Sequence, residues 1–536
     1  MVETVNVGAD LRQGGNTGAN IEERHVVAAL AVVIAGLLIW PFTQGLYLPL
    51  TDLPNHIARH TIAASQNAGP LSEFWTTHLT IVPNSAVDLL WAILGYPGSA
   101  IRFDHTVMML VPVLLFASGM VLARVVHGRW SLWSLACGIV VFNATYFYGF
   151  QNFNFSLPFG ILAFALYLHL EDRPLALRVA VFVPIAAILF IMHFFVFAIL
   201  AVLALGREVQ GVVETRRWTG MAMAVPFLIP LAYLAWSIVG GPENPAGSYT
   251  EWPSLRAILA RFITPLYTWV WYDAHAINPI ALGTTAALYL AFLTMLIPGV
   301  GLRLAPRMRG PVLALLGVCL ISPTWLQGVA LIDIRFPFVL MLICIAGSQW
   351  APLSRSRAVT LALVILTVIG LRSAMVAQIV DTHDANIRDL VAVIEEGLEP
   401  GDRVIPVRNA GKFGDASHWH AQAYVVPVAG AFMPTLFQGV HSVQLKPEWR
   451  DHATPLMHAN PMCSLFPAAP IEGRIVEADT RATGLKACWV EPYVEGWADK
   501  FTHVLAHDPL EASYLADAPV ALVAEQGRYQ LYEVIR

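Results

Sequence analysis

A chain that places one long uncharged apolar stretch after another can fold in few ways. Such stretches occupy 26–46, 106–123, 131–148, 153–168, 218–240, 277–302, 310–332, 336–353 and 358–380, the last interrupted only by Arg372. About 20 apolar residues as helix cross a bilayer core, where no water is present to satisfy a backbone polar group. Hydrophobic residues make up 57% of the sequence and charged ones 13%, with a mean hydropathy of +0.60, well outside the averages for soluble domains. The expected fold is an α-helical multi-pass membrane protein. A net charge of -5 carries little meaning when charges are segregated by compartment, and no basic surface points to a nucleic-acid partner.

The segment 177–205 is too long for one crossing, and His193 interrupts it. Lys and Arg in short loops favour the cytoplasmic side. Arg124 and Arg129, Arg173 and Arg178, then Arg207, Arg216 and Arg217 mark three successive loops as cytoplasmic, so the long segment must enter and return as two short helices with His193 near the outer apex. Arg303, Arg307 and Arg309, then Arg355 and Arg357, fall on the same side if each remaining span crosses once. Nine single crossings plus the hairpin of two predict about 11 transmembrane helices, with the N-terminus cytoplasmic. The polar leader 1–25 lacks the basic n-region of a signal peptide, and the first apolar stretch is expected to be a retained span.

The domains expected are thus the leader 1–25, a transmembrane domain 26–380 and an extracytoplasmic domain 381–536. Long outer loops fall at 47–105 and 241–275, and a very short one at 331–336. After Val380 the composition changes: all four lysines lie there, an amphipathic helix is predicted from His383 to Leu398, and strands at 403–407, 501–506, 520–524 and 529–534 complete a soluble α/β domain. Cys137, Cys319 and Cys344 read as apolar filler in spans. Cys463 and Cys488 lie in the outer domain, where an oxidising compartment allows a disulfide.

Immediately after the first span comes Thr51-Asp52-Leu53-Pro54-Asn55-His56-Ile57-Ala58-Arg59-His60. Asp before Leu-Pro is a good helix N-cap, which by itself accounts for Asp52. The helix it opens also puts Asp52, His56 and His60 on one face at i, i+4 and i+8, an arrangement suited to a general base with a tuning partner or to a divalent metal held by Asp52 and His56. Spacing alone leaves these readings open. The outer-domain histidines His418, His420, His441, His452 and His458 lack a compact ligand spacing and read as loop residues.

An acidic residue just beyond the first span, a long first outer loop, about a dozen spans and a terminal soluble domain together resemble the GT-C superfamily of membrane glycosyltransferases. The string Asp52 to His56 resembles the first-loop acidic motif of that group, and Gly149-Phe150-Gln151-Asn152-Phe153-Asn154-Phe155 with Met192-His193 resembles its bacterial members. The resemblance implies an inverting glycosyltransferase of the bacterial inner membrane, taking a hexose or pentose from a polyprenyl-phosphate donor to a glycan, lipid or protein acceptor at the outer face. Many members pair two acids where this chain has Asp52 and His56, so no cofactor is certain and a divalent metal stays possible.

Phosphate departs without protonation, so such a transfer needs a base for the acceptor hydroxyl and cations for the phosphate. The resemblance makes Asp52 the base, with His56 orienting it. Arg335 in its short loop is the expected phosphate clamp, or else a snorkelling flank paired with Asp333. Arg256 and Arg261 are further candidates, although an interfacial helix 253–262 would display them anyway. His193 lines the site if the hairpin faces a wet cavity, and lies at headgroup level otherwise; Asn152 contacts sugar or caps a helix. The alternative function is a transporter or flippase of a lipid-linked saccharide, which would show paired broken helices or inverted repeats. A third reading, a noncatalytic assembly subunit, predicts that Asp52 is freely replaceable.

Overall fold

The structure is a computed structural model that describes residues 17–240, 250–268, 279–297, 301–326, 329–408, 416–437, 443–453, 460–461, 492–509 and 518–536. Among them, six helices are long and apolar enough to cross a membrane. They cover Arg24–Thr43, Ala100–His127, Leu175–Met192, Phe194–Thr215, Pro279–Leu296 and Arg355–Gly397. The other apolar stretches form shorter or interrupted elements, including Gln151–His169, Val225–Gly240, Arg309–Ile321 and Pro337–Gly347. His193 breaks the hairpin between the third and fourth of the six: its backbone is extended, and its own Nδ1 accepts the Phe195 N–H to cap the returning helix.

The stretch 131–148 is not one helix. A 3-10 segment Leu132–Val140 gives way at Val141–Asn143 to a single turn, Ala144–Phe147. Broken backbone at membrane depth requires partners from within the protein, and these are present. Asn143 Nδ2 donates to the Val140 and Val141 carbonyls, while Arg372 donates to the Phe142 carbonyl and, at 3.0 Å, to that of Leu266. The one charge in the last apolar stretch is therefore buried against two broken helix ends rather than facing lipid.

That last stretch and the predicted amphipathic helix form one continuous helix of 43 residues. Its C-terminal end lies on a five-stranded mixed sheet ordered Val520–Gln526, Tyr529–Val534, His503–His507, Val404–Arg408, Asn460–Pro461. The first three strands pair antiparallel and the last three parallel. Leu531 and Val523 fill the space beside Gly397 on that helix. Cys137, Cys319 and Cys344 are free thiols; Cys463 and Cys488, and with them the expected disulfide, lie outside the described residues.

The first outer segment and the C-terminal region are built into each other. Trp75–Thr77 pairs antiparallel with Val443–Leu445, and the rings of Tyr47 and Tyr424 meet edge to face at 5.1 Å. Asp384, on the long helix, accepts the N–H groups of Leu46 and Tyr47 at 2.6 and 2.8 Å and takes Arg388 Nε on its other oxygen. Removing a charged acceptor of two buried donors costs about 2–3 kcal/mol. Asp384→Ala should therefore lower the thermal midpoint in detergent by several degrees, and an unchanged midpoint would show that this anchor does not hold the two regions together.

Candidate functional site

Asp52 is set in place by its backbone. The Thr51 and Asp52 N–H groups donate to the carbonyls of Phe147 and Tyr148 at 3.0 Å each, which puts the start of the helix Leu53–Ala64 directly against the turn that precedes Gln151–His169. Gly149 makes the approach feasible. Its φ is +75°, and a Cβ there would lie 2.8 Å from Asp52 N and 3.1 Å from Leu53 N, so both conformation and space call for glycine. The Asp52 side chain makes no capping bond, so the N-cap reading fails and the carboxylate is available to the surroundings.

It lines a cleft of about 170 Å³ together with His56, Arg59, Asn84, Phe150, Gln151, Asn152, Phe153, His193, Phe195, Val329, Arg335 and Phe437. Five sequence candidates, Asp52, His56, Asn152, His193 and Arg335, thus share one wall-to-wall space although they come from four separate segments. Two do not line it. Arg256 is exposed on the short helix Leu255–Ile263. Arg261, on the same helix, is buried and donates to the Cys319 and Ser322 carbonyls at 2.9 and 3.2 Å; its Nη2 pairs with Asp333 at 3.1 Å. Asp333 is thereby engaged away from Arg335, and Arg261 braces the turn Asp333–Arg335.

Arg335 is held by rings. Its guanidinium carbon stands 4.0 Å from the Phe150 ring centre, 5.0 Å from Phe195 and 5.5 Å from Phe153, a cation–π cage in a desolvated setting. Nε donates to the Leu331 carbonyl at 3.2 Å, and no carboxylate comes within ion-pair distance among the described residues. Burial lowers its pKa to about 10, against the opposing pull of Asp52 and Asp333, so the group stays charged at neutral pH. Burial, and then the nearby Arg335 charge, push the His193 imidazole well below its ordinary value. His193 is therefore neutral, and because Nδ1 accepts the Phe195 N–H at 3.1 Å, the proton resides on Nε2 as a donor.

Behind the cleft lies a buried polar layer. Asp88 accepts from Arg59 at 2.9 Å and from Asn152 Nδ2 at 3.2 Å, while Asn152 Oδ1 accepts the Val87 N–H at 2.7 Å. Asn152 is thus oriented by the helix Ala86–Ile93 rather than by capping its own. Arg59 also reaches His56 Nδ1 at 3.2 Å. His60 continues the expected face but is fully buried, its Nδ1 2.8 Å from Asp104, and Gln151 donates to the same carboxylate. Burial alone would depress the His60 imidazolium, but Asp104 on one nitrogen and Asp88 near the other outweigh it and push it up to about 9.

Sequence reasoning missed Arg59, Asp88 and Gln151 as parts of this assembly, and Phe437 and His420 altogether. His420 does not behave as a loop residue: its Nε2 stands 3.4 Å from Asp52 Oδ1. His441 and His458, and positions 269–275 of the expected second outer loop, lie outside the described residues. No group of three or more His, Cys, Asp or Glu side chains suited to a metal ion occurs among the described residues. Arg59 occupies the Nδ1 side of His56, so the pair Asp52 and His56 fits a metal poorly, and no step is routed through one.

The helical bundle with its C-terminal sheet has counterparts among solved membrane-enzyme structures. Among solved structures, the chain is similar to ArnT from Cupriavidus metallidurans in the apo state, with a TM-score of 0.51 and 14% identity over 96% of this chain and 98% of that one. The same protein bound to undecaprenyl phosphate matches with a TM-score of 0.46 and 13% identity over 95% and 97%. The arabinofuranosyltransferase AftD from Mycobacteria matches with a TM-score of 0.44 and 16% identity, and this chain, matched over 96% of its own length, spans 40% of that protein. No protein-family model matches, and no curated protein matches significantly.

Two tests follow from the geometry. Gly149→Ala must strain a left-handed residue and displace Asp52, costing about 1–3 kcal/mol; thermal unfolding should show it, and a wild-type midpoint would contradict the close approach. His60 acquires its carboxylate partners on folding, so the stability it contributes is complete below about pH 6.5 and is lost as pH rises through about 9. The thermal midpoint should fall between neutral and alkaline pH, and His60→Gln should flatten that slope.

Proposed function

We propose that this protein is an inverting glycosyltransferase that moves a sugar from a polyprenyl-phosphate donor to a glycan, lipid or protein acceptor at the outer face of a bacterial inner membrane. The observation that carries the reading is the cleft itself. A carboxylate free of its own helix and a caged guanidinium with no carboxylate partner among the described residues line the same space, and no direct ion pair joins them.

In this reading the donor tail lies in the bilayer alongside residues 26–380, which make about 11 crossings, and its phosphate meets Arg335. Asp52 takes the acceptor hydroxyl proton as the acceptor oxygen attacks the anomeric carbon. The bond from that carbon to the phosphate oxygen breaks on the opposite face, and polyprenyl phosphate leaves with its negative charge matched by Arg335. The neutral His193 contributes its Nε2–H to phosphate or sugar without competing for the acceptor's proton. Arg335 stabilises charge that grows as the bond breaks, and it does so in a setting of low dielectric where such stabilisation is strong. His56, Arg59 and Asp88 hold the wall next to Asp52, and the outer domain 381–536 roofs the site.

The test uses the full chain in liposomes with undecaprenyl-phosphate-linked hexoses and pentoses and a membrane glycolipid extract as acceptor. Release of undecaprenyl phosphate should depend on the acceptor. Asp52→Asn should reduce turnover at least 100-fold, within the range for loss of a general base, with an unchanged thermal midpoint; retained turnover would falsify the assignment. Arg335→Ala should weaken donor use about 10- to 100-fold through loss of a charged contact, and an unaltered donor KM and rate would remove it from the site.

A further inference from the structure

We infer that His420, carried by the C-terminal region, is a positioning residue that holds the Asp52 carboxylate for proton abstraction, so that the outer domain completes the reactive centre. The inference rests on the glycosyltransferase reading of the cleft. Its basis is a juxtaposition across 368 positions of sequence: His420 Nε2 is 3.4 Å from Asp52 Oδ1, and the imidazole is 5% exposed.

Asp52 has no capping bond to its own helix. Its backbone is pinned, but its carboxylate is free to rotate about two bonds unless something outside the helix selects a rotamer. His420 is placed to do that. Its Nδ1 is buried and has no hydrogen-bond partner among the described residues, so the imidazole turns its other nitrogen, Nε2, to the carboxylate. Nε2 standing over Oδ1 leaves Oδ2 as the basic oxygen toward the acceptor. During transfer the proton from the acceptor hydroxyl goes to Asp52 and then to water.

The imidazole is itself held firmly. The Phe437 ring meets it edge to face at 5.5 Å and meets His56 in the same way, also at 5.5 Å, so one phenyl ring spans the two histidines that flank Asp52. The Phe437 N–H donates to Asn55 Oδ1 at 3.2 Å, fastening this segment to the first turn of the very helix that Asp52 opens. Gln422 donates to Thr435 Oγ1 at 3.1 Å and closes the segment on itself. Aromatic pairs, a backbone bond and a side-chain bond thus register the outer domain against the carboxylate, which is more than a passive cover requires.

Three variants in the liposome assay with undecaprenyl-phosphate-linked sugars test this. His420→Phe keeps a ring to pack on Phe437 but removes the nitrogen that faces Asp52; kcat should fall about 10- to 100-fold, the usual scale for losing a polar contact to a charged group, while the donor KM stays within about 2-fold. His420→Gln offers an amide N–H near the Nε2 position and should recover kcat to within about 5-fold of wild type. Wild-type kcat in His420→Phe, with Asp52→Asn inactive, would overturn the positioning role and leave the transferase reading intact. Equal loss in the Phe and Gln variants, with matching drops in thermal midpoint, would make His420 a packing residue and overturn the inference as well. Normal turnover in Asp52→Asn would instead bring down the reading on which it rests.

Discussion

The structure turns on a contact between two pieces of backbone. Where the chain leaves the first membrane helix, the Thr51 and Asp52 N–H groups pair with the carbonyls of Phe147 and Tyr148, and Gly149 supplies the left-handed turn and the absent side chain that let the strands of backbone touch. A carboxylate is easily supplied by a sequence; a carboxylate whose Cα is fixed to a fraction of an ångström is not. Everything the cleft does with Asp52 presupposes that fixation, because the ring cage of Arg335 is built on Phe150 and Phe153, the residues immediately after that same turn.

The cleft then arranges charge by separation. Arg59 is given to Asp88 and Arg261 to Asp333, His60 to Asp104, and each of these pairs is buried where an unpaired charge is very costly. Among the groups lining the open space are the Asp52 carboxylate, the permanently charged Arg335 and a histidine kept neutral by burial and by its cationic neighbour. The surrounding pairs hold the helices in place around the cleft.

Much of this could be read from the residues and some could not. Apolar runs and arginine placement located the first helix and the break at His193, because the cost of burying backbone and charge in lipid is large and acts locally. The strings around Asp52 and Asn152 stood out because polar residues beside long apolar runs are conspicuous. The segment 131–148 looked like a plain span because hydropathy does not register that carbonyls can be satisfied by a distant arginine; Arg372 was visible as an oddity, without its partners. Asp88 and Arg59 were indistinguishable from ordinary loop charges, and His420 sat among histidines of no regular spacing. Its proximity to Asp52 depends on tertiary packing through Phe437 and Asn55, which leaves no periodic trace along the chain.

The helix that begins at Arg355 and ends at Gly397 has a mechanical meaning. At 1.5 Å per residue its 43 residues form a rod of about 65 Å, roughly twice the depth of the hydrocarbon layer, with no joint where lipid ends and water begins. Helices adapt to thicker or thinner bilayers chiefly by tilting. A tilt of this rod is a lever arm: it swings the sheet at its far end and, through Asp384, tugs on the chain five and six residues before Asp52. Bilayer thickness therefore has a direct mechanical route to the Asp52 carboxylate.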